Sequence, residues 1–190
     1  MDSKTLEIIE KLEKTSEEFW NVSHQTGNFI NMLIKLAGIK NVLEIGTSNG
    51  YSGLWIAEAL KTTNGHLTTI EFWEKRQCLA KEYFEYCGLS DVVTFKTGQA
   101  YDIITNEINE KFDLVFIDAN KQEYIKFFEA VHPLLKKGGV ILADNIISHA
   151  KKVQPFVDAV SSHNEYQTQI LDLPDGLLMA YKLQESLCRV

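Results

Sequence analysis

From Asn41 onward the chain alternates short apolar runs with longer stretches of helical periodicity, and no other feature limits its folds so strongly. The runs are Val42-Leu43-Glu44-Ile45, Leu67-Thr68-Thr69-Ile70, Val92-Val93-Thr94-Phe95, Leu114-Val115-Phe116-Ile117 and Val140-Ile141-Leu142-Ala143. Strands that are apolar throughout must be covered on both faces, which points to a parallel sheet whose crossovers pass right-handed through helices. Between the runs, helices are expected up to Leu60, up to Gly88, briefly after Phe95, through Leu135, and from Val153 to Ser161. Two further strands, Tyr166 to Leu171 and Leu177 to Lys182, flank the turn residues Pro174-Asp175-Gly176 and predict a C-terminal hairpin with one antiparallel strand. The expected fold is α/β, a Rossmann-like doubly wound sheet.

Before this core, Leu6, Ile8, Ile9, Leu12 and Phe19 recur at helical spacing among glutamates and lysines, giving one or two amphipathic helices. A further helix over about Gly27 to Ala37 stops at Gly38, a residue suited to the left-handed position that ends a helix. With 190 residues, 45% hydrophobic content and only three prolines, nothing divides the chain, so residues 1–190 read as one domain. Residues 1–38 form its helical N-terminal segment and 39–190 its core. A net charge of -7 provides no general attraction to a phosphate backbone. Cys78, Cys87 and Cys188 are odd in number and form no CxxC, which argues against a disulfide framework or a zinc site and for a reducing compartment. There is no apolar leader and no run of about 18 apolar residues, so a cytoplasmic protein without a membrane partner is expected.

In such sheets ligands bind beyond the carboxyl ends of the strands, where strand order reverses. The first strand runs into Gly46-Thr47-Ser48-Asn49-Gly50-Tyr51-Ser52-Gly53, a glycine turn opening a helix. Backbone N–H groups there, with the Ser52 hydroxyl, suit an anion such as a carboxylate or phosphate. Glu71 ends the second strand, and a carboxylate at that place accepts ribose hydroxyls. Together they indicate a nucleoside cofactor. The spacing GxxxGxxG departs from the dinucleotide pattern GxGxxG, which favours S-adenosylmethionine over NAD. Glu44 beside a cationic ligand agrees with that choice, and Phe72 is the nearest candidate for an adenine contact.

A second argument rests on Asp118 and Asp144-Asn145, which end the fourth and fifth runs. If those strands are neighbours their ends lie about 5 Å apart, close enough for two carboxylates and an amide oxygen to share one hard ion. Such a site leaves positions for substrate oxygens, as a catalytic magnesium needs. The competing use of these residues is a helix cap at Asp118 and a turn at Asp144-Asn145. Lys121, near the same point, is either a general base or a solvated lysine at a helix start. Lys136-Lys137-Gly138-Gly139 reads as a turn, and the five histidines show no metal-ligand spacing.

The segments VLEIGTSNGYS, TTIE, FDLVFIDANKQEY, LLKKGGVILADN and DGLLMAYK together resemble the metal-dependent O-methyltransferases that include the catechol and caffeoyl-CoA enzymes and their small bacterial relatives. The resemblance implies a seven-stranded sheet with one antiparallel strand near its edge. It places Val22, in the segment from Asn21 to Gly27, and Ser52 at the methionine carboxylate. Glu44, Gly46, Thr47 and Ser48 would line the methionine side, Glu71 would take the ribose, and Gln99, Ala100 and Tyr101 would lie beside the adenine. Asp118, Asp144 and Asn145 match the family's ligands for a magnesium, manganese or calcium ion, Asp118 also serving the cofactor amine, and Lys121 matches its catalytic lysine. The implied reaction is methyl transfer to a hydroxyl of a catechol-like or other vicinal-dihydroxy small molecule, in a chain that would form a homodimer. The alternatives are methylation of 5-hydroxyuridine in tRNA and a nucleoside-binding module without catalysis. Asn120 stands where the catechol enzymes carry an aromatic gate, Gln169 where they carry a glutamate, and the stretch after Asn145 is short for a coenzyme A-linked acceptor.

Overall fold

The computed structural model describes residues 1–184; Cys188 lies outside the described residues. Three N-terminal helices, α1 (Ser3–Glu13), α2 (Ser16–Phe19) and α3 (His24–Ala37), precede the sheet. Then come β1 (Asn41–Ile45), α4 (Tyr51–Thr63), β2 (His66–Glu71), α5 (Glu74–Tyr86), β3 (Val93–Thr97), α6 (Ala100–Asn106) and β4 (Phe112–Ile117). The chain continues with α7 (Tyr124–Val131), β5 (Leu135–Ala143), α8 (Ala150–Ser162), β6 (Tyr166–Leu171) and β7 (Leu177–Lys182).

The seven strands lie in the order β3-β2-β1-β4-β5-β7-β6. β1 to β5 are parallel, and β7 runs antiparallel to both β5 and β6, as the hairpin signal predicted. The order reverses between β1 and β4, so the crevice lies beyond Ile45 and Ile117, which are paired in register. Both faces are covered. One buried cluster joins Ile8, Ile9 and Leu12 of α1, Ile30 and Ile34 of α3, and Leu54, Trp55 and Leu60 of α4 to the sheet. The other joins Ile103 and Ile104 of α6, Phe127, Phe128 and Val131 of α7, and Val153, Phe156 and Val160 of α8 to the opposite face.

Several boundaries differ from the sequence reading, each for a local reason. α3 begins at His24 because the Ser23 side chain accepts from Thr26 N–H and caps the helix earlier than the apolar pattern starts. α7 ends at Val131 and not near Leu135: His132 still has helical dihedrals and donates to Phe128 O, but Pro133 has no N–H with which to continue the helical hydrogen bonds. The Lys136-Lys137-Gly138-Gly139 tract is part of β5, where the register with β4 shifts between Phe112 and Leu114 and Gly138 takes a φ of 81°. Two glycines and a bulge let a strand carry residues that read as a turn. β3 starts at Val93 because Ser90–Val92 form a 3-10 turn.

Candidate active site at the strand ends

The backbone ladder carries the strand-end acids into the crevice. Asp118 N–H donates to Ile45 O at 2.9 Å and Asp144 N–H to Ile117 O at 3.1 Å, so both acids sit one residue beyond paired strands. Gly46 takes a φ of 106°, and a Cβ there would come within 2.0 Å of the Asp118 carbonyl oxygen. Only glycine allows the first turn to pass so close to β4.

On the cofactor side every acid is braced. Glu71 accepts from Ser48 N–H at 2.8 Å and from Trp73 N–H at 2.9 Å, one on each oxygen, leaving lone pairs for ribose hydroxyls. Glu44 is wholly buried and accepts from Ser52 Oγ and Thr69 Oγ1, each at 2.6 Å, while Thr47 and Thr69 share a further hydroxyl contact at 2.6 Å. Burial pushes the Glu44 carboxyl up to about 7, against the pull of the Ser52 and Thr69 hydrogen bonds, with Asp118 and Glu71 adding to the rise. The Ser52 hydroxyl, expected to face a ligand carboxylate, donates to Glu44 in this structure; Thr69, which carries no glycine or charge signal in the sequence, completes the brace.

The other residues expected around a cofactor fall near this crevice. Ser48 Oγ donates to Phe19 O at 3.3 Å and so brings the N-terminal segment that holds buried Val22 against the glycine turn. Gly98 N–H donates to Glu71 O at 2.9 Å, which sets Gln99, Ala100 and Tyr101 beside the end of β2. Phe72 and Tyr101 are exposed, and Phe72 meets Trp73 edge to face.

On the β4–β5 side one acid is left with a bare oxygen. Asp144 is 1% exposed, yet its Oδ1 has no hydrogen-bond partner. Burial first, then Asp118, pushes its carboxyl up to about 8. A buried carboxylate oxygen without a partner is costly, and a cation beside it would relieve that cost. Asp118 Oδ1 lies 2.6 Å from Lys121 Nζ. Asn145 takes a φ of 64°, and its amide nitrogen reaches Ser148 Oγ at 3.3 Å, which leaves the amide oxygen as the ligand atom. These residues fit a hard divalent ion at Asp118, Asp144 and Asn145. Among the described residues no three His, Cys, Asp or Glu side chains gather to hold a metal, so the amide is needed to complete the set.

The acceptor side is open. Ile147 is 50% exposed, His149 Nδ1 contacts Ser148 Oγ, and Gln169 lies on the edge strand β6 with its amide donating to Ile170 O. Asn120 caps the turn Lys121–Glu123 and bonds Glu123, so it is fixed without being bulky. Sequence reasoning missed the staple that shapes this wall. Ile147 N–H and Ser148 N–H both donate to Asp175 O, at 3.0 and 3.1 Å, and Ile146 N–H donates to Gly176 O at 3.0 Å.

A sequence model of the O-methyltransferase family matches residues 2–183, and the chain belongs to that family. Over 134 residues, 69% of this chain and 60% of the relative, it is 39% identical to a catechol O-methyltransferase from Niastella koreensis. It is 33% identical over 150 residues to caffeoyl-CoA O-methyltransferase 1 from Eucalyptus globulus, covering 75% of this chain and 61% of that one. The chain thus spans about 60% of the length of these curated relatives. Among solved structures, the O-methyltransferase from Bacillus cereus in complex with SAH superposes with a TM-score of 0.84 at 30% identity, over 96% of this chain and 92% of that one. Among the described residues no helix is long and apolar enough to cross a membrane.

Proposed function

We propose that this chain transfers the methyl group of S-adenosylmethionine to a hydroxyl oxygen of a catechol-like or other vicinal-dihydroxy small molecule, with a divalent ion at Asp118, Asp144 and Asn145. The observation that carries this reading is the buried, unpartnered Asp144 Oδ1 beside Asp118, at the strand ends of a fold shared with the Bacillus cereus O-methyltransferase in complex with SAH, the demethylated product of the donor. A bound ion would supply Lewis-acid charge that makes a coordinated hydroxyl more acidic.

The chain's own residues supply positioning and proton handling. Glu71, locked by two backbone N–H groups, receives the ribose hydroxyls, and the Gly46 turn leaves room for the methionine arm next to Asp118. Lys121, held near Asp118, would accept the hydroxyl proton on Nζ in its neutral form. The carbon–sulfur bond of the sulfonium breaks as the oxygen–methyl bond forms, leaving SAH, the methyl ether and a protonated Lys121. Holding donor and acceptor in line at about 3 Å provides most of the acceleration. The open wall formed by Asn120, Ile147 and His149 admits a ring without gripping it.

The test compares labelled methyl transfer to 1,2-dihydroxybenzene and to 1,4-dihydroxybenzene in the presence of magnesium. The vicinal compound should be methylated and the 1,4-isomer should react at least about 100-fold more slowly, since it cannot chelate. Equal rates for the two isomers would remove chelation from the reading.

A further inference from the structure

Tyr124 opens α7 three residues after Lys121, and in the sequence nothing separates it from an ordinary core aromatic. It is fully buried (0% exposed), with its ring edge-to-face against Phe156 at 5.5 Å. Its hydroxyl reaches Ile117 O at 3.3 Å and Asp144 O at 3.2 Å. The phenol therefore meets the backbone carbonyl just before Asp118 and the carbonyl of Asp144 itself. The face of the same ring lies 5.3 Å from Lys121 Nζ. One side chain thus touches the supports of all three charged groups of the β4–β5 crevice.

The paired ladder between β4 and β5 ends at Ile117 and Ala143, and beyond it, among the described residues, the backbone bond from Asp144 N–H to Ile117 O ties the strand ends together. Asp118 and Asp144 repel each other when both are charged, a force that would splay the strand ends. A rigid, buried donor bridging the two ends opposes that motion. We propose that Tyr124 is a positioning residue, whose hydroxyl fixes the spacing of Asp118 and Asp144 for a divalent ion and whose ring holds Lys121 over the same site. The inference rests on the ion site proposed above. Groups that orient metal ligands change metal affinity by roughly 10- to 100-fold when removed, whereas a generic core hydroxyl does not.

The experiment measures Mn2+ binding by calorimetry, without donor or acceptor, on the full chain and on Tyr124→Phe. Tyr166→Phe serves as the control, because it removes another buried phenol hydroxyl, one that bonds His132 away from the crevice. Tyr124→Phe should bind Mn2+ about 10-fold more weakly, with SAH affinity measured without metal changed by less than about twofold; Tyr166→Phe should bind Mn2+ as the parent chain does. Saturating Mn2+ should return the Phe variant, which keeps its ring under Lys121, to near-parental kcat, while Tyr124→Leu should stay low at any Mn2+ concentration. Unchanged Mn2+ affinity in Tyr124→Phe, or an equal loss in Tyr166→Phe, overturns the positioning role. Absence of Mn2+ binding to the parent chain is a different result: it removes the ion site itself, and this inference with it.

Discussion

The two halves of the crevice treat their carboxylates in opposite ways. On the β1–β2 side Glu44 and Glu71 each receive two hydrogen bonds from the chain, from hydroxyls in one case and from backbone N–H groups in the other. On the β4–β5 side Asp144 is equally buried but holds an oxygen with no partner, and Asp118 has a lysine within 2.6 Å. A half whose polar groups are already satisfied fits the proposed binding of a neutral ribose and a cationic methionine arm. A half left short of positive charge fits completion by a cation, as proposed above. On the proposed function, the difference would separate donor binding from metal binding, and each could be attacked alone.

The largest expected effect is at the unsatisfied half. Asp144→Ala should lower turnover by at least about 100-fold and abolish tight Mn2+ binding, while SAH titration shows the donor half intact. Loss of SAH binding to the same degree would merge the two halves into one. The reciprocal change, Glu71→Gln, should weaken SAH binding by about 10-fold through the loss of charge-assisted bonds to the ribose, and leave Mn2+ affinity unaltered. Calorimetry on both ligands reads both outcomes.

A smaller effect concerns stability. The Glu44 carboxyl, ordinarily near 4.5, is pushed up to about 7 by burial, so the folded state binds more protons than the unfolded state between those values. Its contribution is fully present below about 4.5 and is lost as the pH rises through about 7. Thermal melts should therefore show Tm falling over that window, and Glu44→Gln should flatten the fall. A slope identical in the variant would assign it to other groups.

What was legible in the sequence is what a strand end carries in its own residues. The apolar runs marked the sheet, and the residues that follow them, Glu71, Asp118 and Asp144, lie at one rim because parallel strands all end on the same side. The hairpin and the antiparallel β7 followed from a Pro-Asp-Gly turn between two strand-like segments. What could not be read depends on partners far apart in the chain. The Ser52 hydroxyl meets Glu44 because α4 folds back over β1, and Thr69 joins them from β2. The Asp175 carbonyl staples the loop after Asn145 only once β7 has paired with β5. Tyr124 sits in a helical pattern that marks it as core, and its hydroxyl acquires meaning only from the two strand ends it bridges. Lys136-Lys137-Gly138-Gly139 misled for the same reason, since a bulge against β4 is invisible without β4.

The central claim is that the β4–β5 half works through a divalent cation. Its most direct test is transfer of a labelled methyl group from S-adenosylmethionine to a vicinal-dihydroxy acceptor after dialysis against EDTA, followed by titration of magnesium. The account predicts no transfer by the dialysed chain and recovery on adding the ion, with SAH binding unchanged throughout. Full transfer in the presence of EDTA would contradict it.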